Sequence, residues 1–202
     1  MFNGHWRGTP VKLAAGQNPV IIRKSRESMR LHQLKLEFIA EHDRLLLHVL
    51  TDDGAEILLW LTRRCVRLLW GELVKMLQAS PSVQLQGATP EARNALVGMQ
   101  HEKALQAADF SKPYEQPRQR PLGADPILVG RIQTGRDGNG NNVLTLLPLK
   151  GQGVNIALDE KLLHSFCKLM QNVVSRAEWD MVLELPQSPL TMPVTEGART
   201  LN

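Results

Sequence analysis

Alternating apolar and polar residues near the start of the chain predict a three-stranded antiparallel sheet. The alternation is clear at 34–38, and an apolar strand is predicted at 45–50. Residues 51–54, Thr-Asp-Asp-Gly, contain the Asp-Gly pair that favours a tight hairpin. The returning strand is predicted at 56–61, so each strand is expected to pair with the one before it.

Helical spacing of apolar residues follows these strands. Thr62 is predicted to cap a first helix that ends at Ser80-Pro81. Its apolar stripe is Val66, Leu69, Trp70, Leu73 and Leu77. A second helix is predicted from Thr89 to about residue 110, because Thr89 can cap it and a proline occupies its first position. Four prolines between 111 and 126 then predict an extended linker.

The strand pattern returns after this linker. Strands are predicted from 127, at 143–149 and at 154–158, and Asp159 is predicted to cap a third long helix. The stripe of that helix is Leu162 or Leu163, Phe166, Met170, Val173 and Ala177. A closing strand is predicted at 181–185. Because the order of elements repeats, we predict an internal duplication. Residue identity between the copies is poor, so coincidence is the alternative.

The predicted fold class is therefore α+β, with two tandem β-β-β-α units and an additional linking helix. One such unit, of about 50 residues, buries too little surface to be stable alone, so we expect the two units to associate. The predicted divisions are a basic, largely flexible N-terminal arm (1–30), a first unit (31–80), the linking helix and Pro-rich linker (81–126), a second unit (127–185) and a flexible C-terminal tail (186–202).

Composition narrows the class of protein. The chain has 202 residues, 43% hydrophobic and 22% charged, which is typical of a packed globular protein. Its longest apolar stretch, 57–61, is far shorter than a membrane helix, and no apolar leader is visible at the N-terminus. The two cysteines cannot form a disulfide framework. We therefore expect a cytoplasmic protein without a membrane partner.

Positive charge is concentrated in the first 30 residues, which contain six Lys or Arg and one Glu. A basic segment of this kind can bind phosphates. Nucleic-acid binding is therefore one alternative function, with Arg23, Lys24, Arg26 and Arg30 on the phosphates and Trp60 stacking on a base. The simpler interpretation is a solvated tail.

No catalytic, metal or cofactor motif is present in the sequence. No two histidines lie four residues apart, and neither common glycine-rich phosphate loop occurs. Cys65 is a candidate nucleophile, because the helix dipole and neighbouring arginines would lower the pKa of its thiol. We expect no enzymatic activity and no cofactor. An enzyme with an unrecognised site is the third alternative, after nucleic-acid binding.

The primary hypothesis is a non-enzymatic binding or assembly protein that engages a protein partner or a second copy of itself. Leu58 and Trp60 alternate away from the core-facing side of their strand and need another surface to cover them. Arg63, Arg64 and Arg67 oppose the dipole of the helix that follows. An apolar anchor beside arginines is typical of a binding hot spot. The alternatives are that the rest of the chain buries the apolar face, and that an internal carboxylate neutralises the arginines.

Overall fold

The computed structural model describes residues 30–109 and 111–186. This part of the chain forms a mixed α+β fold with seven strands and four α-helices, in agreement with the predicted class. The elements are β1 (Leu31–Ile39), β2 (Arg44–Thr51), β3 (Glu56–Leu61), α1 (Arg63–Gln78), α2 (Pro81–Gln86), α3 (Pro90–Gln106), β4 (Ile127–Leu128), β5 (Arg131–Arg136), β6 (Asn142–Leu147), β7 (Val154–Leu158) and α4 (Glu160–Arg176). None of these helices is long and apolar enough to cross a membrane.

The first sheet has the strand order β1-β2-β3-β4. Its first three strands form the predicted antiparallel meander, and the short β4 pairs with β3 in parallel. The turn between β2 and β3 depends on Gly54, which has a φ of +80°. A side chain there would be strained by this φ, and its Cβ would lie 2.8 Å from the Arg118 side chain. The predicted Asp-Gly hairpin is therefore confirmed, with the glycine required for both reasons.

The second sheet contains β5, β6 and β7, all antiparallel. The strand predicted from residue 127 is in fact two strands, because β4 belongs to the first sheet and β5 to the second. Gly130 lies between them, and its N–H donates to the carbonyl of Leu147 over 2.8 Å. A Cβ at Gly130 would meet the Leu149 side chain at 2.7 Å. The lack of a side chain at Gly130 thus allows the chain to change sheets within two residues.

Both halves of the chain, residues 31–106 and 127–185, contribute to one apolar core. Helix α1 packs against β3 and also against β5, whereas α4 packs against β7 and also against β1. The two helices contact each other between the sheets. The largest fully buried side chains come from both halves, and they include Leu45, Leu47, Leu59, Leu69, Leu73, Leu144, Ile156 and Phe166. Each half therefore covers the other, which supplies the burial that a 50-residue unit lacks.

The three predicted helix caps are present. The side-chain oxygen of Thr62 accepts from the backbone N–H of Cys65 over 3.2 Å, and Thr89 and Asp159 act in the same way on α3 and α4. Two predictions need correction. The linking region has two helices, α2 and α3, instead of one. The segment 181–185 is not a strand.

The backbone of residues 181–185 bonds to side chains of two helices, so it does not form a strand. The carbonyl of Leu183 accepts from the Gln171 side chain, and the carbonyl of Glu184 accepts from the Trp70 indole. The segment is thus held by α4 and α1 through side chains, not by a neighbouring strand. The internal duplication and the predicted domain divisions stay predictions. The two sheets differ in strand number, and β4 has no counterpart in the second sheet.

Candidate partner-binding site

Three apolar side chains form a row across the outer face of the first sheet, the face turned away from α1. Leu46 on β2 pairs in register with Trp60 on β3, and Trp60 pairs in register with Leu128 on β4. Paired residues project from the same face of a sheet, so the three side chains are neighbours. Leu46 and Trp60 are half-buried, and Leu128 is 43% exposed. We call this set the apolar row; at its centre, the His42 ring lies 5.1 Å from the Trp60 ring.

The opposite end of the same face is covered by residues 111–120, which we call the strap. On β1, the Gln33 side chain donates to the carbonyl of Pro113 and accepts from the N–H of Glu115, both in the backbone of the strap. At the β3 edge, the N–H of Glu56 donates to the carbonyl of Gln119 over 2.8 Å. Leu58, one of the predicted partner residues, lies on this face and is only 8% exposed. The chain itself therefore buries part of the predicted surface and leaves the apolar row open.

A buried carboxylate fastens the strap. The Glu56 side chain is 2% exposed and accepts hydrogen bonds from three donors. These donors are His48 Nδ1 at 2.9 Å, the Tyr114 hydroxyl at 3.0 Å and Arg120 Nε at 2.8 Å. Burial alone would raise the pKa of Glu56, but the hydrogen bonds from His48, Arg120 and Tyr114 outweigh it and hold the pKa below its usual value. Glu56 is therefore ionised at neutral pH and anchors the strap to the sheet.

The predicted arginine cluster divides into two parts. Arg63 Nε lies 3.0 Å from Asp43 Oδ2, and the guanidinium lies 5.5 Å from the centre of the Trp179 ring. The hydrogen bond from Arg63, followed by that from Trp179, lowers the pKa of Asp43. Within the described residues, Arg64 and Arg67 are exposed and form no ion pair. One cation thus serves the fold, and two face the solvent.

Of the residues proposed for nucleic-acid binding, Arg30 and Trp60 are among the described residues. Arg23, Lys24 and Arg26 lie outside the described residues. Arg30 is exposed, and its carbonyl accepts from the N–H of Asp52 at the β2–β3 turn. Trp60 lies near the other end of β3, about 13 Å along the strand at roughly 3.3 Å per residue. Arg30 and Trp60 are therefore at opposite ends of the sheet, and nucleic-acid binding stays a prediction.

Cys65 does not have the environment that its neighbours in sequence predict. The residue is 6% exposed in the core, and burial raises the pKa of its thiol to about 11. Burial likewise raises the pKa of Cys167 to about 12. The expected lowering by the helix dipole and the arginines is wrong, because the thiol is buried in the core while Arg63 pairs with Asp43 and Arg64 and Arg67 face the solvent. Both thiols are protonated at neutral pH and poor nucleophiles.

The described residues contain no group of three or more His, Cys, Asp or Glu side chains that could hold a metal ion. No protein family, no curated protein and no solved structure matches the chain.

Proposed function

We propose that this chain is a non-enzymatic binding or assembly protein that engages a protein partner, or a second copy of itself, through the apolar row. The observation that supports this function is selective coverage of the outer sheet face. Leu58 is buried at the end of the face that the strap crosses, while Leu46, Trp60 and Leu128 stay accessible at the other end. Contiguous exposed apolar side chains on a folded protein mark surfaces that bind other macromolecules.

The composition of this surface fits a protein contact. Tryptophan and arginine are among the residue types enriched at binding hot spots, and Trp60 lies at the centre of the apolar row. Helix α1 packs on the other face of the sheet, so of the two exposed arginines we expect Arg64, three positions after the end of β3, to supply the positive rim more than Arg67. Rim charges act mainly on the association rate and its salt dependence. A partner with apolar side chains bordered by carboxylates would fit both parts.

The substitution Leu128→Glu tests this function with little effect on folding. Leu128 is exposed, so a carboxylate there stays hydrated in the free chain but would be desolvated in a contact. We expect the variant to lose self-association in sedimentation velocity, or to lose a protein that the wild-type chain retains. Leu85→Glu is the matched control, because Leu85 is 87% exposed on α2, away from the row. It should behave as the wild type.

Two results would contradict the proposal. One is a Leu128→Glu variant that associates as strongly as the wild type. The other is equal loss of association in Leu128→Glu and Leu85→Glu, which would show that any added charge has the same effect. Raising the salt concentration separates the contribution of charge to binding from that of the apolar row. Salt should weaken the interaction of the arginine rim and leave the apolar contact largely intact.

A further inference from the structure

Two buried histidines face each other between α3 and α4. The Nδ1 atoms of His101 and His164 are 3.2 Å apart, and the ring centres are 5.3 Å apart. His101 is 8% exposed and His164 is 1% exposed. A hydrogen bond between two ring nitrogens needs one donor and one acceptor, so at least one ring must be neutral. When both rings are protonated, two N–H groups and two positive charges face each other.

We propose that this pair is an acid-sensitive latch that holds α3 against α4 at neutral pH and releases α3 as the pH falls. The inference concerns a part of the molecule outside the apolar row and does not depend on the proposed function. Its basis is geometric: the contact between two helices is made by two groups that cannot stay bonded to each other when both are charged. Histidine is the side chain whose charge changes in this pH range.

The charged groups around the latch do not fully offset the charge of a doubly protonated pair. Lys168 of α4 adds a third positive charge, opposed by Glu102 of α3 and Glu160 of α4. Glu160 already accepts from the hydroxyls of Ser80 and Ser82. Helix α2 has no ionisable side chain, and α1 bonds to α3 through the uncharged Gln78. The sheets meet α4 with apolar residues of β1 and β7.

Burial is the main cause of the low proton affinity of both rings. It lowers the pKa of His101, and Lys168 lowers it further. Burial, followed by the charge of His101, lowers the pKa of His164 to about 4. The latch therefore closes in its neutral form, and protonation of either ring favours the form in which the rings reach water.

Release of α3 is the easiest way for the pair to reach water. Apart from His101, Val97 is the one residue of α3 that is buried. Helix α3 also forms side-chain hydrogen bonds with its neighbours, such as that from Gln100 to the Ser82 hydroxyl over 2.9 Å. Helix α4, by contrast, buries six side chains. Elements with few buried apolar contacts open at lower free energy than the rest of a fold.

The direction of the pH effect follows from the two pKa values of His164. A released ring has an ordinary pKa of about 6.5, and the docked ring has one of about 4, so the released state binds more protons. Docking is therefore fully stable above about pH 6.5 and weakens as the pH falls toward 4. Between pH 7 and pH 5, the titration of His164 alone should lower the ratio of docked to released α3 by about 20- to 30-fold, and the lowered pKa of His101 adds to the effect in the same direction.

Hydrogen exchange of the intact chain, corrected for the intrinsic effect of pH on exchange, tests the latch. We expect the protection of α3 amides to fall by at least about 20-fold between pH 7 and pH 5, while α1 amides change little. The double substitution His101→Gln with His164→Gln should remove most of this pH response, because amides do not titrate. His32→Gln is the matched control, since His32 is exposed on β1 and bonds to Glu115 of the strap, and it should keep the response.

The titration of His164 in the wild-type chain, followed by NMR of its ring protons, provides a second measurement if the double variant does not fold. A pKa below 5 supports the latch, and a pKa near 6.5 overturns it. The proposal is also overturned if α3 protection is the same at pH 7 and pH 5. The same conclusion follows if the double glutamine variant retains the full pH response.

Discussion

Replacing Glu56 with alanine should lower the free energy of unfolding by about 3 kcal/mol. The substitution removes the acceptor that bonds to His48 on β2 and to Tyr114 and Arg120 on the strap. Loss of one partner of a buried ion pair typically costs about 3–5 kcal/mol. The lower end applies because Arg120 is 43% exposed and can be hydrated after the loss. Urea denaturation measures the change.

The matched control for this substitution is Glu115→Ala. Glu115 lies on the same strap and bonds to His32, but its side chain is 63% exposed. Exposed ion pairs contribute at most about 1 kcal/mol, so this variant should be close to the wild type. Trypsin should also cut Glu56→Ala faster than the control after Arg118, since the strap has lost its anchor. Equal stability and equal cleavage of the two variants would contradict the assigned role of Glu56.

Replacing Trp179 with alanine should cost about 3–5 kcal/mol, the usual range for a buried aromatic residue. The side chain is 3% exposed and packs edge-on against Phe38 of β1, with ring centres 5.8 Å apart. Its indole N–H donates to Asp43 over 2.6 Å, and Arg63 lies over its face. Trp179 thus connects the end of the second half to the first sheet. Thermal or chemical denaturation gives the change in stability.

Trp179→Phe separates the two contributions of this residue. Phenylalanine keeps most of the packing against Phe38 but cannot donate to Asp43, so this variant should recover more than half of the loss. Unfolding should remain a single transition in both variants, because the two halves share one core. A loss below about 1 kcal/mol for Trp179→Ala would contradict the packing described here.

Local sequence patterns predict the elements whose stability is local. The Asp-Gly turn before β3, and the caps Thr62, Thr89 and Asp159, depend on residues within four positions of one another. The five residues of the predicted α1 stripe are all buried, because the 3.6-residue period fixes which face meets the sheet. The α+β class follows from the order of these elements.

Contacts between distant residues account for what the sequence could not predict. Tyr114 and Arg120 meet Glu56 across 58 and 64 positions, and the two latch histidines are 63 positions apart. Nothing in a proline-rich segment indicates which sheet face it will cross. For the same reason, alternation alone makes Leu58 and Trp60 equally good candidates for partner binding. In the structure, Leu58 is buried at the end that the strap crosses, and Trp60 is half-buried. The strand predicted from residue 127 is divided between the two sheets near Gly130, and no local pattern indicates which sheet each part joins.

The most direct test of the proposed function is Trp60→Ala, measured in parallel for association and for stability. Trp60 is half-buried at the centre of the apolar row, so its truncation should weaken binding by about 2 kcal/mol or more, roughly 30-fold, and should lower the stability of the free chain by less. Sedimentation or titration with the partner gives the first quantity, and urea denaturation gives the second. A loss of about 3–5 kcal/mol in stability with unchanged association would show that Trp60 is a core residue, and would contradict the account.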